Sequence, residues 1–239
     1  MNVFLLVSKH LSPNDTINIS STCKKYNESY YDFLEKSAVD VNILVLQEGV
    51  YGSEVLMTTH SYIIGIGRVS IVLDTLTNVS KCFKNIEFSS ISKAINCLYS
   101  GVDFHDCVFT TQLNFSCSQS LFFFCFFETF INCKYCDNMF ENCVFSNRSN
   151  INSSNCISKI FDSKFLGCYE PIIFNDSFNV SIRNTKFLSC RGTTCYFSNL
   201  DKVGRLEIDD CLFDNKTRTL IVIPKDFTNH DICTNTIVN

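Results

Sequence analysis

The chain has 239 residues, of which 46% are hydrophobic and 18% charged, and its formal net charge is −4 at pH 7. This composition is too apolar for a disordered chain, and no apolar run approaches the roughly 18 residues of a membrane span. The acidic balance provides no basic surface for nucleic acid. We therefore expect neither nucleic acid nor a membrane as a partner.

Cysteine is frequent, at 15 residues, which by itself suggests a secreted disulfide scaffold. The N-terminal apolar run Val3–Val7 is shorter than the roughly 7–15 residues at the centre of a signal peptide, and no charged leader precedes it. An odd number of cysteines also fits reduced thiols better than paired ones. We expect free thiols and a cytoplasmic or nuclear location, not secretion.

Residues 1–36 are predicted to form a small module of three short helices. Apolar residues from Val3 to Leu11 recur at helical spacing. Ser12 and Pro13 then supply an N-cap and the first position of the next helix. Helices this short cannot bury a core alone, so the module needs a partner surface.

The segment Leu5–Tyr26 resembles the F-box. The matches occur in order at Leu11, Pro13, Asp15, Ile17, Ile19, Ser20, Cys23, Lys24, Lys25 and Tyr26. The segment departs from the family at Thr16, where leucine is usual, and it lacks the opening Leu-Pro pair. The resemblance implies binding to the Skp1 adaptor of cullin-1 ubiquitin ligases through Leu5, Leu11, Pro13, Ile17, Ile19 and Tyr26. The alternative is a helical cap over the following domain.

Residues 37–215 are predicted to form a mainly β domain, a single-stranded right-handed parallel β-helix of about 8–9 rungs. Residues 41–51 predict a strand that ends at Gly49, and residues 62–73 predict two strands separated by glycine-containing turns. This opening is similar to that of pectate-lyase-like right-handed parallel β-helices. Residues 216–239 are predicted to cover the C-terminal end as a cap or tail.

A repeat of about 20 residues carries the fold prediction. Its anchors are Phe88, Phe109, Phe127, Phe145, Phe165, Phe187 and Phe213. An apolar residue stands five positions before each anchor, Asn or Asp three before in six of the seven copies, and a small or apolar residue two before. Because Asn and Asp tolerate left-handed backbone, each marks a tight bend between two short strands. Equivalent residues should stack about 4.8 Å apart as interior columns.

Motifs that carry chemistry are few. Cys133-x-x-Cys136 lacks the two further ligands of a zinc site, so we interpret it as two thiols of one rung. The four histidines lie far apart in sequence and outside any nucleophile–base pattern, and His105 is expected to face solvent. We predict no metal and no cofactor.

One cluster could serve a polysaccharide-acting β-helix enzyme. It combines Asp209 and Asp210 with Arg183 and Arg205. Asp210 is already explained as a bend residue, and adjacent strand residues point to opposite faces. We therefore predict no enzyme activity.

The β-helix half is also similar to the large early-region-1B T-antigen family of adenoviruses and to the related β-helical capsid protein of atadenoviruses. Tyr62–Ile71, Cys82–Phe88 and steps such as Cys107–Phe109 carry this likeness. Together the resemblances imply a viral F-box-type subunit whose β-helix recruits an unidentified protein to a Skp1–cullin-1 ligase. The alternatives are an oligomeric structural β-helix, for instance a virion component, and thirdly a polysaccharide-acting enzyme.

Overall fold

The computed structural model describes residues 43–146, 148–198, 204–214, 219–224, 230–233 and 235–238. These residues form a parallel β-solenoid of the right-handed type with about nine turns. Successive strands along the chain enter three sheets, which we name A, B and C, and every strand pairs in parallel with the strand one turn away. The prediction of a mainly β parallel β-helix is confirmed.

The strands are numbered in chain order. Sheet A contains β1 (Ile43–Leu46), β3 (Tyr62–Gly65), β6 (Ser80–Lys84), β9 (Gly101–His105), β12 (Gln119–Phe123), β15 (Asp137–Glu141), β18 (Ile157–Phe161), β21 (Asn179–Arg183), β24 (Arg205–Asp209) and β27 (His230–Cys233). Sheet B contains β2 (Gly49–Tyr51), β4 (Val69–Val72), β7 (Glu87–Ser89), β10 (Val108–Phe109), β13 (Phe126–Phe127), β16 (Val144–Ser146), β19 (Lys164–Leu166), β22 (Lys186–Leu188), β25 (Leu212–Asp214) and β28 (Thr236–Val238). Sheet C contains β5 (Thr75–Thr77), β8 (Ala94–Leu98), β11 (Gln112–Ser116), β14 (Phe130–Lys134), β17 (Asn150–Ser154), β20 (Ile172–Asn175), β23 (Thr193–Ser198) and β26 (Thr219–Val222). A 3-10 helix spans Ser53–Met57.

The predicted repeat is confirmed in register. All seven Phe anchors pair with one another along sheet B, and their rings stack at centroid distances between 4.3 and 5.3 Å. The apolar residues five positions earlier form a second interior column along sheet A, in which Phe83, Phe104, Phe122 and Phe140 also stack. Rings of the two columns meet edge to face, as between Phe104 and Phe109 at 5.1 Å. Aromatic contact therefore fills the interior between these sheets.

The predicted bends are confirmed at all seven positions, which form the corner between sheets A and B. Their φ angles are positive and lie between 46° and 55°. Six of the bend N–H groups donate to a carbonyl of the next turn, as from Asp106 to Phe123 at 2.9 Å, and that of Asp210 donates to Asp209 Oδ1. Asn and Asp suit this conformation, but Phe124 adopts it as well.

The residue after each of these bends is small or apolar, and most form a hydrogen bond to the backbone. In six of the seven copies its inward side chain donates to the carbonyl two residues earlier, as from Cys125 Sγ to Phe123 O at 3.4 Å and from Ser163 Oγ to Phe161 O at 2.7 Å. The seventh is Ile86, which has no donor. Thiols and hydroxyls therefore satisfy carbonyl groups at the bend.

The corner between sheets C and A also has a residue with positive φ, followed in most turns by an inward-pointing hydrogen-bond donor. Its bend residues with positive φ are Asn78, Tyr99, Cys117, Tyr135, Asn155 and Asp176. The residues that follow them and donate inward are Ser100, Ser118, Cys136, Cys156 and Ser177. The sequence repeat identified one corner of this type, whereas the solenoid has a second.

The described strands of the segment 216–239 continue the solenoid. β26, β27 and β28 pair with β23, β24 and β25 respectively, in sheets C, A and B. Parallel pairing thus extends past the predicted boundary at residue 215.

Thirteen cysteines lie among the described residues, all as free thiols, and eleven of them are buried. Cys117 is exposed. Cys82 is half-buried, and burial together with the charge of Asp103 raises its pKa to about 12. Because the thiolate is the reactive form and needs access, these positions should differ sharply in reactivity.

We expect Cys117 to be alkylated first among the described cysteines when the native protein meets iodoacetamide near neutral pH. The eleven buried thiols should be labelled only after denaturation. Peptide mass spectrometry over a time course measures each position separately. Disulfides between buried cysteines, or their rapid labelling in native protein, would contradict this arrangement.

Candidate interaction surface

The predicted Skp1-binding residues, from Leu5 to Tyr26, lie outside the described residues. The candidate surface therefore belongs to the solenoid itself. Two neighbouring features stand out on turns β9 to β21: the outer face of sheet A and the corner at which sheet C leads into sheet A.

The outer face of sheet A carries two columns of outward-pointing side chains, which we name the sheet A face. The central column contains Cys82, Asp103, Leu121, Met139, Lys159 and Ser181, and the column beside it contains Lys84, His105, Phe123, Glu141, Phe161 and Arg183. Leu121, Phe123, Met139 and Phe161 lie near its centre and are half-buried. The Glu141 carboxylate lies between Phe123 and Phe161 in the second column, so these apolar side chains surround a charged group.

Strands β9 and β12 of this face combine titratable groups with an aromatic contact. The His105 imidazole stacks on the Phe123 ring at a centroid distance of 4.9 Å and an angle of 18°. Burial lowers the pKa of His105, and the neighbouring Asp103 carboxylate partly offsets that effect. Burial also raises the pKa of Asp103. His105, expected to face solvent, is on the outside but half-covered.

Three exposed aromatic residues occupy bends on either side of this face. Tyr99, Phe124 and Tyr135 have φ angles of 50°, 55° and 55°, and 67%, 62% and 56% of their surfaces are exposed. Left-handed backbone costs an ordinary L-residue about 1 kcal/mol, which Asn, Asp or Gly would largely avoid. Their exposed rings recover little by packing, so neither conformation nor core formation explains them. Such outliers favour a role in binding.

A shallow open depression of about 550 Å³ lies at the corner between sheets C and A, and we name it the corner depression. The residues that line it are Cys117, Ser118, Gln119, Tyr135, Cys136, Asp137, Asn155, Ile157 and Phe178. Tyr99 is the bend residue two turns before Tyr135 in the same corner. The depression therefore joins exposed aromatic rings to a carboxylate and two amides.

Charge and thiol chemistry border the corner depression. The Lys134 ammonium lies 5.3 Å from the centre of the Tyr135 ring, within cation–π range. Hydrogen bonding with Cys156 lowers the pKa of Cys136, against the opposing effect of burial. The Cys136 side chain nevertheless points inward to its corner carbonyl, and the residue is 5% exposed. The exposed thiol of this wall is instead Cys117, and aromatic and polar side chains make up most of the rest.

In the predicted polysaccharide-enzyme cluster, Arg183 and Asp209 are cross-strand neighbours in sheet A, but both arginines pair with other carboxylates. Arg183 Nη2 donates to both carboxylate oxygens of Glu207 at 2.7 and 2.8 Å. Arg205 Nη2 lies 3.0 Å from Asp231 Oδ2. Asp210 occupies the bend, as predicted, with φ 49°.

The two cysteines of the Cys-x-x-Cys motif also lie in different parts of the fold. Cys133 is buried in β14 of sheet C, and Cys136 belongs to the corner that follows. Within the described part of the chain, no group of three or more His, Cys, Asp or Glu residues could hold a metal ion.

Sequence reasoning did not identify the corner depression. The related sequence signal was Phe124, the exception among the seven bend positions of the repeat, which lies at the other corner, between sheets A and B. The same exception, an aromatic residue where the bend favours Asx, recurs at Tyr99 and Tyr135, but it becomes visible only after the second corner is known.

No family model matches the chain, and no curated protein matches it. Among solved structures, the chain is similar to QnrB1, a plasmid-mediated fluoroquinolone resistance protein, with 12% identity and a TM-score of 0.26 over 80% of this chain and 93% of that one. None of the described residues forms a helix long and apolar enough to cross a membrane. The resemblances to F-box proteins and to the adenoviral family stay predictions.

Proposed function

We propose that this chain is a non-catalytic, F-box-type adaptor. In this proposal the solenoid binds a target protein at the corner depression, and residues 1–36 bind Skp1 and so link the target to a cullin-1 ubiquitin ligase. The observation that carries the target-binding half is the placement of two tyrosines, both exposed in left-handed backbone at one corner. Tyr135 lines the depression, and Tyr99 lies two turns before Tyr135.

The chemistry of the corner depression favours a protein as the ligand. Tyrosine and phenylalanine supply large contact area at a low cost in side-chain entropy, and tyrosine is enriched among interface residues that dominate affinity. Tyr135 and Phe178 provide such rings, and Gln119, Asp137 and Asn155 provide polar groups around them. Aromatic anchors with a polar rim are typical of protein-binding sites.

The solenoid also presents these rings on a rigid support. The Tyr99 and Tyr135 N–H groups donate to Ser116 O and Ser154 O on the next turn, each at 3.1 Å. The following residues, Ser100 and Cys136, donate inward at the same corner. A backbone that is ordered before binding loses less entropy on binding.

The link to Skp1 rests on the sequence of residues 5–26. Leu11, Pro13, Ile17, Ile19 and Tyr26 match the F-box in order. The solenoid supplies the other requirement of an adaptor, which is a separate surface for a target.

Reciprocal losses test the two halves of this proposal in the full chain. From cells expressing the Leu11→Ala, Pro13→Ala double variant, Skp1 and cullin-1 should no longer co-purify, whereas the crosslinked target should be retained. From cells expressing the Tyr99→Ala, Tyr135→Ala double variant, the target should be lost and Skp1 retained.

Tyr169→Ala provides the matched control, since Tyr169 is 62% exposed but lies away from the corner depression. It should retain both partners. Failure of the wild-type chain to retain Skp1 would overturn the ligase assignment. Retention of every crosslinked protein by the double tyrosine variant would overturn the target site.

A further inference from the structure

The lining of the corner depression is specific enough to indicate which chemical group it binds. We propose that it takes an arginine side chain of the target protein, with the guanidinium group against the Tyr135 ring and hydrogen-bonded to the Asp137 carboxylate. This inference rests on the proposed target-binding function and deepens it, because it names the group that the target presents.

One wall of the depression comes from an extra residue in a single turn of the solenoid. From β6 to β18, each strand of sheet A begins two residues after its corner bend. β21 begins three residues after the bend at Asp176, and its first residue, Asn179, pairs with Ile157. The extra residue is Phe178, whose side chain is exposed and lines the depression. An inserted residue of this kind re-aims a side chain and is frequent beside functional sites.

The backbone of this extra residue is held by both neighbouring turns. The Phe178 N–H donates to Cys156 O at 3.1 Å, and the Phe178 carbonyl accepts from the Arg205 N–H at 2.9 Å. The next turn has glycine at this place, Gly204, where an added Cβ would collide with Phe178 O. The wall is therefore ordered before a ligand arrives, which lowers the entropy lost on binding.

The charge inside the depression favours a cation. Asp137 is the only charged residue among those that line it. Within the described part of the chain, the Asp137 carboxylate forms no hydrogen bond and no salt bridge. Lys134 in β14 and Lys159 in β18 lie on flanking strands and do not line the depression, and the neighbouring bend residue Asp176 adds a second carboxylate. A carboxylate without a cation in a recess attracts a positively charged group.

Arginine fits this lining better than lysine. The acceptor side chains are those of Gln119, Asp137 and Asn155, and the rings are those of Tyr135 and Phe178. A guanidinium group is planar, carries five donors and no acceptor, and can lie against a ring while it donates to a carboxylate. An ammonium group is compact and more strongly hydrated, so it loses more when it leaves water.

Lys134 supplies a second test of the sign of the charge. Its ammonium lies 5.3 Å from the centre of the Tyr135 ring, so this ring already accepts a cation. An incoming guanidinium group competes with Lys134 for the ring and is repelled by its charge. Removing the Lys134 charge should therefore strengthen arginine binding, whereas removing the Asp137 charge should weaken it. Opposite effects at two neighbouring positions distinguish a cation site from a general disturbance of the corner.

Titration of the isotope-labelled full chain with N-acetyl-arginine amide, followed by nuclear magnetic resonance at constant ionic strength, tests this inference. The side-chain amide signals of Gln119 and Asn155 should shift and saturate, with a Kd of about 1–10 mM. N-acetyl-lysine amide should bind more weakly, and the uncharged N-acetyl-citrulline amide should cause no shift. Asp137→Asn should weaken arginine binding about fivefold, as expected for an exposed ion pair, and Lys134→Gln should strengthen it. Glu128→Gln removes an exposed carboxylate outside the depression and should bind like the wild type.

The same spectra show whether each variant is folded. Absence of saturable shifts with the arginine probe would overturn the inference, and equal affinity of the wild type and a folded Asp137→Asn variant would overturn it as well. Neither result decides the target site itself, which depends on loss of the crosslinked target by the Tyr99→Ala, Tyr135→Ala variant. In that purification Asp137→Asn should also lose target. Full retention by Asp137→Asn, with loss by the double tyrosine variant, would reject arginine recognition and leave the target site standing.

Discussion

Replacing Phe127 with alanine should lower the free energy of unfolding by about 3–5 kcal/mol, the range typical of a fully buried phenylalanine. Phe127 stacks between Phe109 and Phe145 at centroid distances of 5.0 and 4.8 Å. It also meets Phe122 and Phe140 edge to face. Each turn contacts chiefly its neighbours, so a cavity here weakens the column on both sides.

Urea denaturation followed by circular dichroism measures this loss. Phe130→Ala is the matched control, because Phe130 lies on the outside of sheet C and is 44% exposed. We expect it to change the unfolding free energy by no more than about 0.5 kcal/mol. Equal losses in the two variants would mean that the Phe127 column does not form the core.

Replacing Gly65 with alanine should be the most damaging exchange of small residues in the first turns. An added Cβ would lie 2.4 Å from Asn85 O and 2.9 Å from the Val69 Cβ, and neither atom belongs to the end of a flexible side chain. The Gly65 carbonyl also accepts a hydrogen bond from Asn85 Nδ2 at 2.9 Å. Overpacking of this kind costs about 1–3 kcal/mol, or more where the backbone must shift.

Gly101 is the matched control for this effect. It lies in β9, one position before Val102, and an added Cβ would meet nothing within 4 Å. Gly101→Ala should be neutral or slightly stabilising, since alanine restricts the unfolded chain. Similar thermal unfolding of the two glycine variants would show that close backbone approach at Gly65 is not the cause.

The sequence predicted the fold well where one residue type marks one physical requirement. The Phe anchors and the Asx bends repeat because the interior column needs large rings and the bend needs residues that tolerate positive φ. The second corner was missed because Tyr99, Cys117 and Tyr135 occupy three of its six bends, so Asx marks only half of them.

Polarity was an incomplete guide to side-chain direction. Ser120, Asn138 and Ser158 form one inward column in sheet A and are at most 1% exposed. Strand geometry fixes which face a residue occupies, whatever its chemistry. A pattern of hydrophobic residues alone would place these three side chains outside.

The candidate surfaces depend on neighbours that lie far apart in sequence. Leu121, Met139 and Lys159 become adjacent only when the length of every turn between them is known, and those turns differ in length. The F-box match, in contrast, is local and was visible directly in residues 5–26. Sequence therefore predicted one possible partner site, and the structure supplied the surfaces of the solenoid.

Binding of purified Skp1 to the purified full chain tests the adaptor account most directly. Size-exclusion chromatography with light scattering should show a complex that contains both proteins. The complex should disappear for the Leu11→Ala, Pro13→Ala double variant, while the circular dichroism spectrum of its solenoid is unchanged. Separate elution of wild-type chain and Skp1 at micromolar concentrations would contradict the account.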